Sequence, residues 1–333
     1  MKQLKNFDDF RDAVYDFRMS RIIMTALDLD LFTIMESRLW TIKALAKAAS
    51  VSERGLEILC RNLASVGLLR KDGARYSSNN LGRTFLNAKS PNYRGAYLDL
   101  LRRQWKDWSK LTESVRSGKP VEEQGEDDAE YRRSFTWAMH HRSIEAAGQV
   151  AKQLKLKSAK TLLDVGGGPG TYALEFLKKN LKLKAGVWDR SVALEVAKEI
   201  AKKQKLNARM SYFEGDFLKD PVPGTFDIFW LSNVIHIYSA EENIQILKKL
   251  RKALTPGGRV CIQDTFLQDK HGLRPLETNL FAVTMLLFTE TGNTYSITEV
   301  QRWLTAAGFK KPQRLQMKKH TGDWEGLIIE GSY

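Results

Sequence analysis

The stretch that most constrains this chain is KTLLDVGGGPGT, residues 160–171. Leu162, Leu163 and Val165 surround a single acid, Asp164, and run into four glycines in five positions, interrupted only by Pro169. A short apolar run that stops at a glycine cluster reads as a buried strand ending in a tight turn. Tyr172, Ala173, Phe176 and Leu177 then recur at helical spacing, so the glycines join a strand to a helix. Without a Cβ, Gly166, Gly167 and Gly168 can take positive φ and close on a ligand. Pro169 suits a helix start, where its missing N–H leaves nothing unsatisfied. Such a unit is either a sharp structural corner or a nucleotide-type site.

The neighbouring residues narrow the ligand. A dinucleotide loop wants a third Gly or Ala where Thr171 stands, and a phosphate-binding loop wants a Gly-Lys-Ser/Thr ending that is missing. From residue 160 onward the strand-like segments TLLDV, AGVWD, ARMSYFEGD, FDIFWLSNVIH and RVCIQDTFL alternate with helical stretches. Helices over 277–289 and 298–307 and a closing pair of strands around QRLQM and GLIIEG follow. This alternation predicts an α/β fold with a doubly wound, parallel sheet, whose ligands lie beyond the carboxyl ends of the strands. At the second strand end stands Asp189, about twenty residues after the glycines, where an acid accepts hydrogen bonds from a ribose diol. At the third, Asp216 can accept from an adenine amino group and Phe217 can stack. At the fourth come Ser232, Asn233 and His236. A neutral imidazole, with an unperturbed pKa of about 6.5, can take a proton from a hydroxyl.

The N-terminal part reads differently. Phe10, Val14, Phe17, Ile22, Ile23, Ala26 and Leu29 mark amphipathic helices. Thr41 then caps IKALAKAAS, Ser52 caps ERGLEILCRNLASVGLL, and Asp72-Gly73 turns a hairpin: a winged-helix outline. On the second of these helices Glu53, Arg54, Glu57 and Arg61 cancel, against a DNA-reading role. The net charge of +14 invites a nucleic-acid partner, but the lysines fall on short exposed helix faces among acids, as a solvated surface does. Residues 93–150 read as helical, with EEQGEDDAEY as a loop. The first eighteen residues are too charged for a signal peptide, and apolar runs such as 280–288 are too short to cross a membrane. A cytoplasmic protein without membrane or nucleic-acid partners is expected. Cys60 and Cys261 have no spacing partner for a metal site and are expected reduced and buried.

DVGGGPG resembles the first motif of class I S-adenosylmethionine-dependent methyltransferases. With LAKAASVSERGLEILCRNLASVGLL, RYSSNNLG, RQWKDWSKLTESVRSGKP, FTWAMHHRS, VWDR, GDF, NVIHIYSAEEN and LTPGGRV, nearly the whole chain is similar to the small-molecule O-methyltransferases of the caffeate and hydroxyindole type and their bacterial relatives. The resemblance implies a winged-helix-like N-terminal domain over 1–90 used for homodimerisation, a helical connector over 91–150 that contributes to the substrate pocket, and a Rossmann-like S-adenosylmethionine-binding domain over 151–333. It implies that Asp164, Gly166, Gly168, Asp189, Asp216, Phe217 and Ser232 hold the cofactor, with His236 as general base and Asp264 orienting it. Trp137, Met139, His140, Asn279, Phe281 and Met285, with Phe288, would line a pocket for a small aromatic or polyketide-like acceptor. Ile237, Tyr238 and Asn293 depart from the plant pattern, which has Asp, Trp and a second orienting acid, and Ser232 stands where a lysine is frequent. These departures leave open a homologue that binds the cofactor without transferring methyl. N- or C-methylation would use the same cofactor site.

Overall fold

The computed structural model describes residues 4–121, 129–156, 158–317 and 327–333. The chain divides into two compact units, Met1–Arg102 and Arg103–Tyr333.

The first unit opens with helices α1 (Phe7–Tyr15), α2 (Phe17–Asp28) and α3 (Leu31–Met35). Strand β1 (Trp40–Thr41), helices α4 (Ile42–Ala49) and α5 (Glu53–Ser65), and the hairpin of β2 (Leu69–Asp72) and β3 (Arg75–Ser78) follow. The hydroxyls of Thr41 and Ser52 accept the N–H groups of Ala44 and Gly55, so each begins its helix as the sequence expects. β3 pairs antiparallel with both β1 and β2, which completes the helix, helix, hairpin outline. Leu45, Leu56, Cys60, Leu63 and Tyr76 form its core. By contrast α1 buries no residue, and Phe7, Phe10 and Val14 are at least half exposed.

Helix α6 (Gly95–Trp108) runs across the boundary, and α7 (Leu111–Ser117) and α8 (Ala129–Gln153) follow. Of the acidic run expected as a loop, residues 122–128 lie outside the described residues, whereas 129–131 start α8.

From there the chain alternates: β4 (Thr161–Val165), α9 (Thr171–Lys179), β5 (Lys184–Asp189), α10 (Ser191–Lys203), β6 (Met210–Glu214), β7 (Phe226–Ser232), α11 (Ala240–Lys252) and β8 (Leu254–Asp264). Next come β9 (Phe266–Leu267), α12 (Leu276–Phe288), β10 (Tyr295–Ser296), α13 (Ile297–Ala306), β11 (Lys310–Arg314) and β12 (Leu327–Ser332). The seven-stranded sheet has the order β11-β12-β8-β7-β4-β5-β6, parallel from β8 to β6 and antiparallel at β12 and β11. The chain winds outward from β4 to β6 and returns to place β7 on the other side of β4. Beyond the carboxyl ends of β4 and β7, helices depart to opposite faces and leave a crevice.

Alternate residues of β4 supply the two cores. Leu162 packs with Phe176, Val187 and Trp230 on the α8–α10 face, and Leu163 with Phe229, Leu231, Ile246 and Leu304 on the other. Each such fully buried side chain contributes about 1.5–3 kcal/mol.

Two boundaries differ from the sequence expectation. The fourth strand stops at Ser232 instead of running on to His236, because Asn233 turns to φ +56, a left-handed conformation that breaks the ladder. Residues Ile235–Ile237 form a short 3-10 turn that carries the histidine. The closing strand, expected around QRLQM, pairs over Lys310–Arg314; it starts three residues earlier and includes Gln313 and Arg314, and Leu315 N–H still reaches the carbonyl of Ile328. Cys60 and Cys261 are free and buried, and burial pushes their thiols up to about 11 and about 12. No helix among the described residues is long and apolar enough to cross a membrane.

Candidate active site

The glycine turn is held from below and from the side. Gly166 sits at φ +64, and a Cβ there would lie 2.8 Å from Val234 Cγ2 and 3.3 Å from the ring of Phe217, so only glycine lets the turn close on these neighbours. Asp164 lies beneath the turn, 1% exposed; Oδ2 accepts the N–H of Ala173 at the start of α9, and Oδ1 has no hydrogen-bond partner among the described residues. Burial pushes this carboxyl up to about 8, with the charge of Asp189 adding to the rise. Asp189, at the end of β5, accepts Gly168 N–H and Arg190 N–H, each at 2.7 Å. Burial raises it too, against those two donors.

The third strand end follows the same pattern. Asp216 accepts Leu218 N–H at 2.9 Å and pairs with Lys219 at 3.5 Å, and keeps part of its carboxylate at the crevice. Phe217 stacks edge-on against Trp188 and Tyr238, which leaves its ring over Gly166. The Ser232 hydroxyl is engaged by Gln263 and by Asn233, at 3.2 and 3.1 Å.

These residues fit a nucleoside that is not phosphorylated. A Cβ on Gly168 would meet no atom within 4 Å, so open space lies beside the turn. Carboxylates flank that space at two strand ends, and residues 166–170 carry no Lys or Arg to meet a phosphate. Carboxylates suit a ribose diol and a cationic centre.

On the other side of the crevice His236 is 7% exposed and Asp264, at the end of β8, 1% exposed. Nδ1 of His236 lies 2.8 and 3.0 Å from the two oxygens of Asp264, and Thr265 N–H anchors the nearer one. A carboxylate only accepts, so the neutral imidazole carries its proton on Nδ1 and presents the lone pair of Nε2. Phe281 of α12 meets the imidazole edge to face, with centroids 4.7 Å apart.

The backbone of the histidine is pinned as well. Asn293 N–H donates to the His236 carbonyl at 2.9 Å, while the Asn293 side chain turns away to Thr294 N–H. At Asn293, where the plant pattern has an acid, the tie to the His236 turn thus runs through the main chain. Gly292 permits the approach: a Cβ there would stand 2.4 Å from the His236 carbonyl oxygen. Glu242 accepts from both Ser239 N–H and the Thr291 hydroxyl and so closes the same loop. The Ser239-to-Glu242 capping box is readable in the sequence; its reach to Thr291 is not.

The seven expected pocket residues divide between two helices, with Phe288 half-buried at the end of α12. On α8, His140 is buried with Nδ1 2.8 Å from the Thr171 hydroxyl, directly after the glycine turn, and Trp137 packs edge-on against it and into the core. Met139 is half-buried on the same helix. On α12, Phe281 touches the imidazole, Asn279 is half-buried and Met285 is buried. Among the described residues no cluster of His, Cys, Asp and Glu could hold a metal ion.

A family model for the O-methyltransferase domain matches residues 108–310, and one for the O-methyltransferase dimerisation domain matches residues 12–88. The tetracenomycin polyketide synthesis 8-O-methyl transferase TcmO of Streptomyces glaucescens is 28% identical over 309 residues, 90% of this chain and 91% of that protein. The acetylserotonin O-methyltransferase of Gallus gallus is 29% identical over 330 residues, 89% of this chain and 90% of that one. The solved structure of human N-acetylserotonin methyltransferase in complex with SAM matches with a TM-score of 0.84 at 23% identity, over 100% of this chain and 99% of that one, a likeness of fold.

Proposed function

Because this chain belongs to the O-methyltransferase family, we propose that it moves a methyl group from S-adenosylmethionine to a hydroxyl of a small aromatic or polyketide-like acceptor, with His236 as the general base. The observation that carries this reading is the His236–Asp264 pair, set beside the glycine turn through Val234 and Phe217. Asp189 and Asp216 would hold the nucleoside and Gly166 and Gly168 the rest of the cofactor. When bound, S-adenosylmethionine supplies an electrophilic methyl on a sulfonium, so the acceptor needs to lose a proton more than it needs further activation.

The chain's own residues meet that need. Nε2 of His236 accepts the hydroxyl proton, and Asp264 stabilises the resulting imidazolium through Nδ1. Asn279, Phe281 and Met285 of α12, with Trp137, Met139 and His140 of α8, would seat an apolar ring with its hydroxyl toward the imidazole. The aromatic and polyketide acceptors in the names of the two relatives support that class. An intact base with its orienting acid counts against a homologue that only binds the cofactor. We also propose a homodimer formed through the N-terminal unit, supported by the dimerisation-domain match and by the exposed Phe7, Phe10 and Val14 of α1.

The test is calorimetric titration of the purified protein with S-adenosylhomocysteine, with NAD as control, followed by a screen of hydroxylated aromatics for methylated product by mass spectrometry. One S-adenosylhomocysteine per chain, no NAD and an O-methyl ether are expected. Binding without product from any hydroxyl acceptor, or product on nitrogen or carbon, would sink the acceptor and base assignments.

A further inference from the structure

The lysines that the sequence places on separate short helix faces are gathered by the fold onto one edge of the second unit. β4, β5 and β6 are parallel neighbours, so the connections that lead into them, from α8, α9 and α10, all meet at the amino ends of the strands. Hydrogen bonds tie the three connections together. The Asn180 amide donates to the carbonyls of Leu156 and Ala159, Lys184 N–H donates to the carbonyl of Lys160, and the Arg209 guanidinium donates to the carbonyls of Leu177 and Asn180. The edge is thus one stapled surface.

From it project Lys155 and Lys160, Lys182 and Lys184, and Lys205, all exposed, and none makes a side-chain ion pair among the described residues. Two carboxylates that reach this edge are engaged already, Glu175 with Lys178, and Asp227 with the backbone of Lys160 and Thr161 and the hydroxyl of Thr255. Lysines in the last turn of a helix are explained by the helix dipole. Lys160 and Lys184 lie well beyond the helix ends, where that explanation does not reach, and they join Lys155, Lys182 and Lys205 just past them. In their midst stands Leu181, 80% exposed.

We propose that this edge is a docking surface for an anionic phospholipid bilayer. Flexible ammonium groups on long stems suit the diffuse potential of anionic headgroups, and an exposed aliphatic side chain among them can enter the headgroup layer. Nucleic-acid phosphates would engage the same ammonium groups, but the exposed Leu181 among them fits the headgroup layer and not a phosphate chain. An acidic carrier protein that delivers the acceptor would have to reach the crevice, which opens at the opposite ends of the strands. Adsorption through the amino edge leaves the crevice facing away from the bilayer and open to water.

The experiment is vesicle co-sedimentation of the full-length protein on phosphatidylglycerol/phosphatidylcholine and on pure phosphatidylcholine vesicles. The variants are the triple charge reversal Lys182→Glu, Lys184→Glu, Lys205→Glu, a second reversal Lys155→Glu, Lys160→Glu, and Leu181→Ser, each checked for an unchanged Tm. The protein should bind the anionic vesicles only, release at about 0.5 M salt, lose at least about tenfold in partition in the triple reversal and several-fold in the other two. A wild type that stays in the supernatant, or reversals that bind like wild type, would overturn the proposal. So would a mixed-sequence RNA that binds more tightly than the vesicles and is lost in the same variants.

Discussion

On the β4–β6 side of the crevice the surface offered to a ligand is mostly the backbone of Gly166 to Gly168 and strand-end acids, Asp189 tied to Gly168 across 21 residues and Asp216 at the next strand end. On the β7–β8 side it is assembled from afar. Asp264 reaches His236 across 28 residues, Thr291 reaches Glu242 across 49, and the Tyr295 hydroxyl reaches the Tyr238 carbonyl across 57. The first side is built around one glycine turn; the second depends on several side-chain ties that each hold one group. Changes on the acceptor side should therefore damage turnover and spare cofactor affinity, and changes on the cofactor side should do the reverse.

Among substitutions that leave the imidazole in place, the largest effect is expected for Asp264→Asn. An amide in place of the carboxylate no longer stabilises the imidazolium or fixes the proton on Nδ1, so kcat should fall by roughly 10²-fold or more with S-adenosylhomocysteine affinity unchanged. Steady-state kinetics with calorimetry on the same sample decide it, and an equal loss in both quantities would erase the division between the sides. Asp189→Ala should do the opposite and weaken S-adenosylhomocysteine by about 10–100-fold, the usual worth of hydrogen bonds to a charged group. Turnover at saturating cofactor should stay within a few-fold of wild type.

Gly292→Ala sharpens the comparison further, since it alters no functional group. The added methyl would have to displace the His236 carbonyl, and kcat should drop about tenfold through misplacement of the base. An unaffected kcat would mean that the loop gives way without moving the imidazole.

The effect at Asp164 lies outside turnover and ligand affinity, and it is one of stability. Its carboxyl, pushed up to about 8 by burial, stays protonated in the folded chain over a range where the unfolded chain, with a value of about 3.9, has lost the proton. The folded state holds the extra proton, so stability declines as pH rises through roughly 4–8 and is level above that range. Asp164→Asn removes the decline. Its Tm relative to wild type should climb between about pH 5 and about pH 8, by roughly 2–4 °C for each kcal/mol relieved. A Tm gap that does not change with pH would show the carboxylate ionised throughout.

The same contrast explains what could be read from the sequence. The β4 turn, the caps at Thr41 and Ser52 and the acid at Asp189 follow from local rules, because glycine, a capping hydroxyl and strand-end spacing act within a few residues or at a fixed interval. The sequence pattern carries His236 within the fourth strand, whereas it sits in the turn just past that strand's end, since the left-handed residue Asn233 is not a glycine that would announce it. Asn293 is legible only as a departure from an acid; that its backbone N–H ties the His236 carbonyl, and that Gly292 makes room, depends on the approach of two loops that no local pattern encodes. The lysine-rich amino edge was invisible for a related reason. Its residues are scattered over 155–205, and only the parallel order of β4, β5 and β6 brings them together.

The most direct measurement is single-turnover methyl transfer by His236→Ala, with S-adenosylhomocysteine affinity determined on the same preparation. If His236 is the base and the two sides of the crevice act separately, the rate falls by roughly 10²–10⁴-fold and the affinity stays within about twofold of wild type. A variant that keeps the wild-type rate at unchanged affinity would show that the acceptor loses its proton without His236, and that the β7–β8 side positions the acceptor only.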